Sequence, residues 1–225
     1  MTARGAAMVS SSRGWSAAVL GMCTLLLVST QTGAQSGRND LLAHAGYDAH
    51  AAHRAEAARG QHKIERSVHV YKVPDVTLLE MTGTKVPLPS LLRGDAPIFL
   101  NFIFTTCTSV CPVMSATFAE VQRQLGDEAH RVRMISISID PEHDDPARLR
   151  EFARKHDAGP GWRFLTGRPD DIVAVQRAFN SYRGNKMSHA PSTFLRMSAS
   201  DAWVRVDGLA SASDLVNEYR RGVAK

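Results

Sequence analysis

The stretch Ile98-Phe-Leu-Asn-Phe-Ile-Phe104-Thr-Thr-Cys107-Thr-Ser-Val-Cys111-Pro112 decides how this chain folds. Its first seven residues are apolar apart from Asn101, the pattern of a strand covered on both faces. Pro112 predicts the start of a helix, because a proline in the first helical turn gives up no needed N–H and arrives with φ already set. That helix runs to about Leu125, with Val113, Phe118, Val121 and Leu125 expected on one inward face. Both cysteines therefore fall between a strand end and a helix start. Unsatisfied backbone N–H groups and the positive end of the helix dipole meet there, and both favour a thiolate.

Outward from this stretch, strand and helix signals alternate. Upstream, Val73 to Leu79 reads as a short extended segment, Met81 to Thr84 as a turn, and Val86 to Leu92 leads into a second turn at Gly94-Asp95. Downstream, Arg131 to Ile139 is a strand rich in β-branched residues, and Pro146 to His156 a helix with Leu149 and Phe152 inward. Trp162 to Leu165 and Pro169 to Phe179 are the next strand and helix. Ser192 to Met197 and Trp203 to Val206 read as neighbouring strands, and a last helix spans about Ser213 to Arg220. The fold class is α/β, a central mixed sheet flanked by helices. With one long buried strand feeding the Cys-x-x-x-Cys turn, this order is that of a thioredoxin-like fold carrying an inserted βα unit.

The rest of the 225 residues bounds the function. Residues 1–34 hold no acidic residue, and Arg4 and Arg13 lead into the apolar run Trp15 to Ser29, followed by Thr32 and Ala34. This reads as a secretory signal peptide cut after Ala34, with an uncleaved membrane anchor as the alternative. Cys23 is then an apolar core residue of that signal. Residues 35–68 read as a His- and Ala-rich tether containing His44, His50, His53 and His62, and residues 69–225 as the folded domain. With 27 basic and 22 acidic side chains the net charge is +5, too dispersed to argue for nucleic acid. The expected location is the periplasm, free or tethered to the membrane and facing it.

Outside the cytoplasm, Cys107 and Cys111 are open to three uses: a structural disulfide, a redox pair or a metal site. Cys-x-x-x-Cys is one residue wider than the redox spacing Cys-x-x-Cys, so two sulfurs can flank one ion while disulfide closure stays feasible. Two thiolates suit Cu(I) or Zn(II), and an added imidazole makes a trigonal set suited to copper. His189, in Lys186-Met-Ser-His-Ala-Pro-Ser-Thr-Phe194, precedes a strand whose leading loop faces the Cys turn in such a sheet. Pro191 stands where a proline packs beside the thiols in thioredoxin-like proteins. Asp140, in Asp140-Pro-Glu-His-Asp144, lies at a strand's C-terminal end, where α/β sites collect. A turn-forming role serves it equally well. His69, His130, His143 and His156 read as incidental.

Phe104-Thr-x-Cys-x-x-x-Cys-Pro112, the strand end Ser138-Ile-Asp-Pro141 with Asp144 after it, and the late histidine together resemble the Sco/SenC family of copper chaperones. The resemblance spans about Val73 to Arg221. It implies a thioredoxin-like fold, one copper held by Cys107, Cys111 and His189, and service in cytochrome c oxidase assembly. There the protein delivers copper to the subunit carrying the Cu(A) site or reduces that site's cysteines. It thus implies a metallochaperone rather than an enzyme. One departure stands out: the family's histidine falls three residues before the aromatic, whereas here Pro191 takes that place and His189 is five before Phe194. Either the loop bends to bring His189 to the thiols, or the copper ligand has been traded for a proline. The second option favours a thiol–disulfide oxidoreductase acting on periplasmic cysteine pairs with Cys107 and Cys111 as its redox couple, supplied by thiol reductants.

Overall fold

In the computed structural model, residues 64–199 and 202–224 are described. Chain order gives β1 (Glu65–His69), β2 (Thr77–Glu80), β3 (Lys85–Pro87), α1 (Leu88–Leu91), β4 (Ile98–Ile103), α2 (Val110–Leu125) and β5 (Arg133–Ser138). Then come α3 (Pro146–Lys155), β6 (Trp162–Thr166), α4 (Pro169–Ala178), β7 (Ser192–Arg196), β8 (Trp203–Asp207) and α5 (Ala212–Val223). The eight strands form one sheet in the order β1-β8-β7-β4-β5-β6-β2-β3. β4, β5 and β6 run parallel, while β7 pairs antiparallel with β4 and β8 with β7. This is the expected mixed sheet.

All six residues of β4 are buried. On one face of the sheet Phe99 and Ile103 pack with Phe118 and Val121 of α2 and Leu215 of α5. On the other, Leu100 and Phe102 meet Ile172 and Val175 of α4, together with Phe179 and Phe194. Each such large side chain contributes about 1.5–3 kcal/mol of burial. Asn101, the one polar residue of β4, anchors its oxygen in a buried chain, although its Nδ2 has no partner: Ser136 Oγ donates to Asn101 Oδ1 at 2.7 Å and Trp162 Nε1 donates to Ser136 Oγ at 2.9 Å. The central strand is thus fixed from both faces and along its length, and its C-terminal end is a rigid platform for the cysteine loop.

The structure alters three expectations. Glu65 to Val68, placed in the tether by the sequence, are strand residues: β1 pairs antiparallel with β8 from Glu65↔Asp207 to His69↔Trp203. This edge strand buries little of itself and is pinned by Arg66 on Glu218, with Nη2 donating to Oε1 at 2.8 Å, so no apolar pattern announces it. The signal segment and the tether up to residue 63 lie outside the described residues. Helix α2 starts at Val110, before Pro112, and buries Cys111, Met114, Ser115, Phe118, Val121 and Leu125, whereas Val113 is 47% exposed. Five residues from Phe118 is a turn of about 140° around a helix of 3.6 residues per turn, which carries Val113 off the stripe. Finally, Val73 to Val76 is irregular and only Thr77–Glu80 is strand, because pairing with β3 begins at Thr77 and with β6 at Leu79. Among the described residues no helix is long and apolar enough to cross a membrane.

Candidate metal and redox site

Cys107 and Cys111 are free thiols at the junction of β4 and α2. The loop leaves β4 at Phe104, whose carbonyl accepts from the Cys107 amide at 3.2 Å. Ser109 is the N-cap residue of α2, yet its side chain makes no capping hydrogen bond. The cap is supplied by sulfur: the Cys111 amide, in the first turn of α2, donates to Cys107 Sγ at 3.4 Å, and Ser109 Oγ lies 3.7 Å from the same sulfur. Cys107 thus accepts from a first-turn amide as the Asp145 and Ser211 oxygens do at the starts of α3 and α5.

The two thiols differ in kind. Burial works against the Cys107 thiolate, but hydrogen bonds from the Cys111 and Ser109 amides and side chains outweigh it, holding this thiol below the usual cysteine value. Cys111 is fully buried against the apolar cluster under α2. Burial is the largest influence on it, and the hydrogen bond with Cys107 and the nearby Asp144 charge add to it, so the Cys111 thiol is pushed far up. Cys107 is the more acidic, more nucleophilic sulfur and Cys111 the protonated one.

The loop is braced from β5. Asp144 is fully buried and accepts from Thr105 N–H at 3.0 Å, Thr105 Oγ1 at 2.5 Å and Ser138 Oγ at 2.6 Å. Asp140, four residues earlier, accepts from Lys186 Nζ at 2.5 Å and lies 3.1 Å from His143 Nδ1. Burial alone would raise the Asp140 carboxyl, but the Lys186 and His143 contacts prevail and hold it below the usual range. His143, read as incidental, is exposed yet belongs to this cluster. The motif Asp140-Pro-Glu-His-Asp144 therefore serves as both a turn and a site support. Thr105 and Lys186, unassigned in the sequence, emerge as contacts of that support. Both stand inside the quoted motifs, but nothing in their spacing shows which carboxylate they meet.

His189 is partly buried and its Nε2 lies 3.0 Å from the Phe102 carbonyl of β4. A carbonyl only accepts, so Nε2 carries the proton and Nδ1 keeps its lone pair. Burial lowers the His189 pKa, outweighing the favourable Phe102 bond, and keeps the ring in the neutral form that ligates metals. The structure seats this imidazole at the end of the same strand that launches the cysteine loop, engaged with backbone rather than sulfur. Among the described residues no three His, Cys, Asp or Glu side chains are already gathered as a metal-holding group. Pro191 stands immediately before β7, and its carbonyl accepts from Gly208 N at 2.9 Å.

A mixed α/β sheet whose central strand delivers a helix-capping thiol and a buried partner thiol defines a thioredoxin-like dithiol protein. Within that class, the SCO1/SenC family model matches residues 75–223, and the chain belongs to this family. It is 40% identical over 98 residues to the SCO1 protein homolog of Bacillus subtilis (strain 168), covering 43% of this chain and 50% of that protein. Among solved structures, BsSco, described as a Sco family cytochrome c oxidase assembly protein with a disulfide switch, is 27% identical. It superposes with a TM-score of 0.59 over 69% of this chain and 95% of BsSco. ScoI of Bradyrhizobium japonicum, solved with copper bound, is 26% identical with a TM-score of 0.56 over 68% of this chain and 99% of ScoI. The chain spans about half the length of the curated relatives it matches.

Proposed function

We propose that this chain is an exported metallochaperone that binds copper through Cys107, Cys111 and His189 and hands it to the subunit of cytochrome c oxidase carrying the Cu(A) site. The observation that carries the reading is the unlike pair of free thiols at the start of α2. Cys107, the more acidic thiol, offers a ready thiolate. Cys111 must lose its proton to ligate, so loading releases a proton and should strengthen as pH rises. Once a cation sits between them, its charge offsets the burial that keeps Cys111 protonated. His189, neutral and with Nδ1 unprotonated, is chemically ready as third ligand after a movement of its loop. A copper-bound ScoI of the same fold supports the choice of metal. Transfer to a partner proceeds by exchanging thiolate ligands one at a time, with Cys107 as first contact.

The test is copper titration of the reduced protein. One equivalent should bind; Cys107→Ser should abolish tight binding, and His189→Ala should weaken Cu(II) more than Cu(I). Absence of stoichiometric binding by the unmodified chain refutes the proposal.

A second reading, thiol–disulfide exchange on a partner's cysteine pair, draws on the same asymmetry. The Cys107 thiolate would attack one sulfur of the partner disulfide, breaking its S–S bond and leaving the electron pair on the other partner sulfur. Cys111, giving up its proton, would then attack Cys107, releasing the partner as a dithiol and closing Cys107–Cys111 as a disulfide. A thiol reductant must restore the chain. Cys111→Ser should trap the mixed disulfide in cells, and its absence there would remove this reading.

A further inference from the structure

The turn Asp140-Pro-Glu-His-Asp144 grips both halves of the candidate site with its two carboxylates. Asp144 holds the cysteine loop through Thr105 N–H and hydroxyl. Asp140 holds the histidine segment through Lys186 Nζ at 2.5 Å, and Lys186 opens the short 3₁₀ turn Lys186–Ser188 that leads into His189. The turn between the carboxylates is closed by its own backbone: the His143 and Asp144 amides both donate to the Asp140 carbonyl, at 3.0 and 2.9 Å. Ser138 ties them side to side, donating to Asp144 and accepting from the Asp140 amide at 3.0 Å. Ile139 N to Ile103 O at 2.8 Å fastens the whole to β4. The separation between the two grips is therefore set by a rigid piece of backbone.

The histidine segment depends on such a grip because packing supplies little. Met187 is 75% exposed, and a cavity of about 160 Å³ bordered by Ile139, Gln176, Tyr182, Arg183, Lys186 and His189 adjoins the segment. At roughly 30 Å³ per water that space is large enough for about five waters, so side chains do not fill it. Beyond its own local turn bonds, two polar contacts among the described residues locate the segment. One is Lys186, paired with a nearly buried Asp140 and standing 5.8 Å over the Phe104 ring at the root of the cysteine loop. The other is the single hydrogen bond of His189 Nε2 to Phe102 O. For the imidazole to reach sulfur the second contact would have to break, while the first could stay and leave Lys186 as the fixed point of the segment.

We propose that Lys186 is a positioning residue whose ion pair with Asp140 fixes the pivot from which the His189 imidazole reaches the thiols. The proposal rests on the copper reading above, and its test separates the two. Lys186→Met keeps the length of the side chain and removes its charge, and Lys186→Arg keeps the charge. In the metal-free reduced protein the Met187, Ser188 and His189 amides should exchange with solvent on the order of tenfold faster in Lys186→Met than in the parent, and near the parental rate in Lys186→Arg. Cu(II) affinity should fall about 10–100-fold in Lys186→Met, as loss of a group that orients a metal ligand generally causes, with recovery in Lys186→Arg. Alkylation of Cys107 should be unchanged in both.

If His189→Ala weakens copper binding while Lys186→Met alters neither exchange nor affinity, the pivot is refuted and the copper reading stands. If His189→Ala does not alter copper binding, the histidine's part in the copper reading fails. The positioning role toward copper falls with it, whatever the exchange rates show.

Discussion

Removing the Asp144 carboxylate is the sharpest test of how the cysteine loop is held. The residue is fully buried and takes three hydrogen bonds, from Thr105 N–H, Thr105 Oγ1 and Ser138 Oγ. In Asp144→Ala all three donors lose their acceptor. A hydrogen bond to a charged group contributes about 1.5–3 kcal/mol, and a buried donor left without a partner costs about 1–3 kcal/mol. Thr105 is only partly buried, so water satisfies its two donors in the variant, while Ser138 is sealed in and bears most of the cost. The carboxylate's own desolvation, recovered when it is deleted, offsets part of the loss. The net expectation is a loss of about 2–4 kcal/mol, read as a lower midpoint in urea unfolding at an unchanged slope. A second readout is local: with Thr105 released, the seat of Cys107 over the α2 amides loosens, and its alkylation at neutral pH should slow as the thiol returns toward an ordinary value. Stability within about 0.5 kcal/mol of the parent, together with unaltered Cys107 alkylation, would refute the bracing argument.

Three further outcomes follow from the same geometry. Cys107 should alkylate with an apparent pKa below that of a free thiol, whereas Cys111, measured in Cys107→Ser, should stay unreactive in the folded protein far above it; equal rates would contradict the assigned asymmetry. Glu80 accepts two hydrogen bonds from Arg163, both at 2.6 Å, and these, against burial, hold its carboxyl below the usual range. A depressed carboxyl stabilises the fold above the ordinary glutamate value of about 4.3 and loses that contribution as pH falls through its folded value. Glu80→Gln should therefore cost about 1–2 kcal/mol at neutral pH and progressively less in acid, as urea midpoints at several pH values will show. Ser136→Ala should cost about 2–3 kcal/mol by the same method, since it strands both Trp162 Nε1 and Asn101 in a buried site.

The sequence carried the core of this fold because its signals were strong and local. The apolar run Ile98 to Phe104, the β-branched run before Ile139 and the prolines at 146 and 169 each mark an element whose character is set by its own residues. The thiol pair was legible for the same reason: a strand end, a helix start and two cysteines stand within fifteen residues. Strand β1 was not legible, since Glu65 to His69 has no period of its own and is strand only because β8 offers it an edge. The helper residues were hidden by distance along the chain: Thr105 meets Asp144 across 39 positions and Lys186 meets Asp140 across 46. Spacing shows that a carboxylate ends a strand, not which donor folding brings to it.

The sulfur cap on α2 links covalent state to mechanical state. The starts of α3 and α5 are closed by side-chain oxygens of Asp145 and Ser211, but this one is closed by an atom that can be a thiolate, a metal ligand or half of a disulfide. Whenever Cys107 is engaged elsewhere, the first turn of α2 gives up a cap of the kind that generally stabilises a helix by about 1 kcal/mol. The first turn of α2 is thereby coupled to whether the Cys107 sulfur is free or occupied.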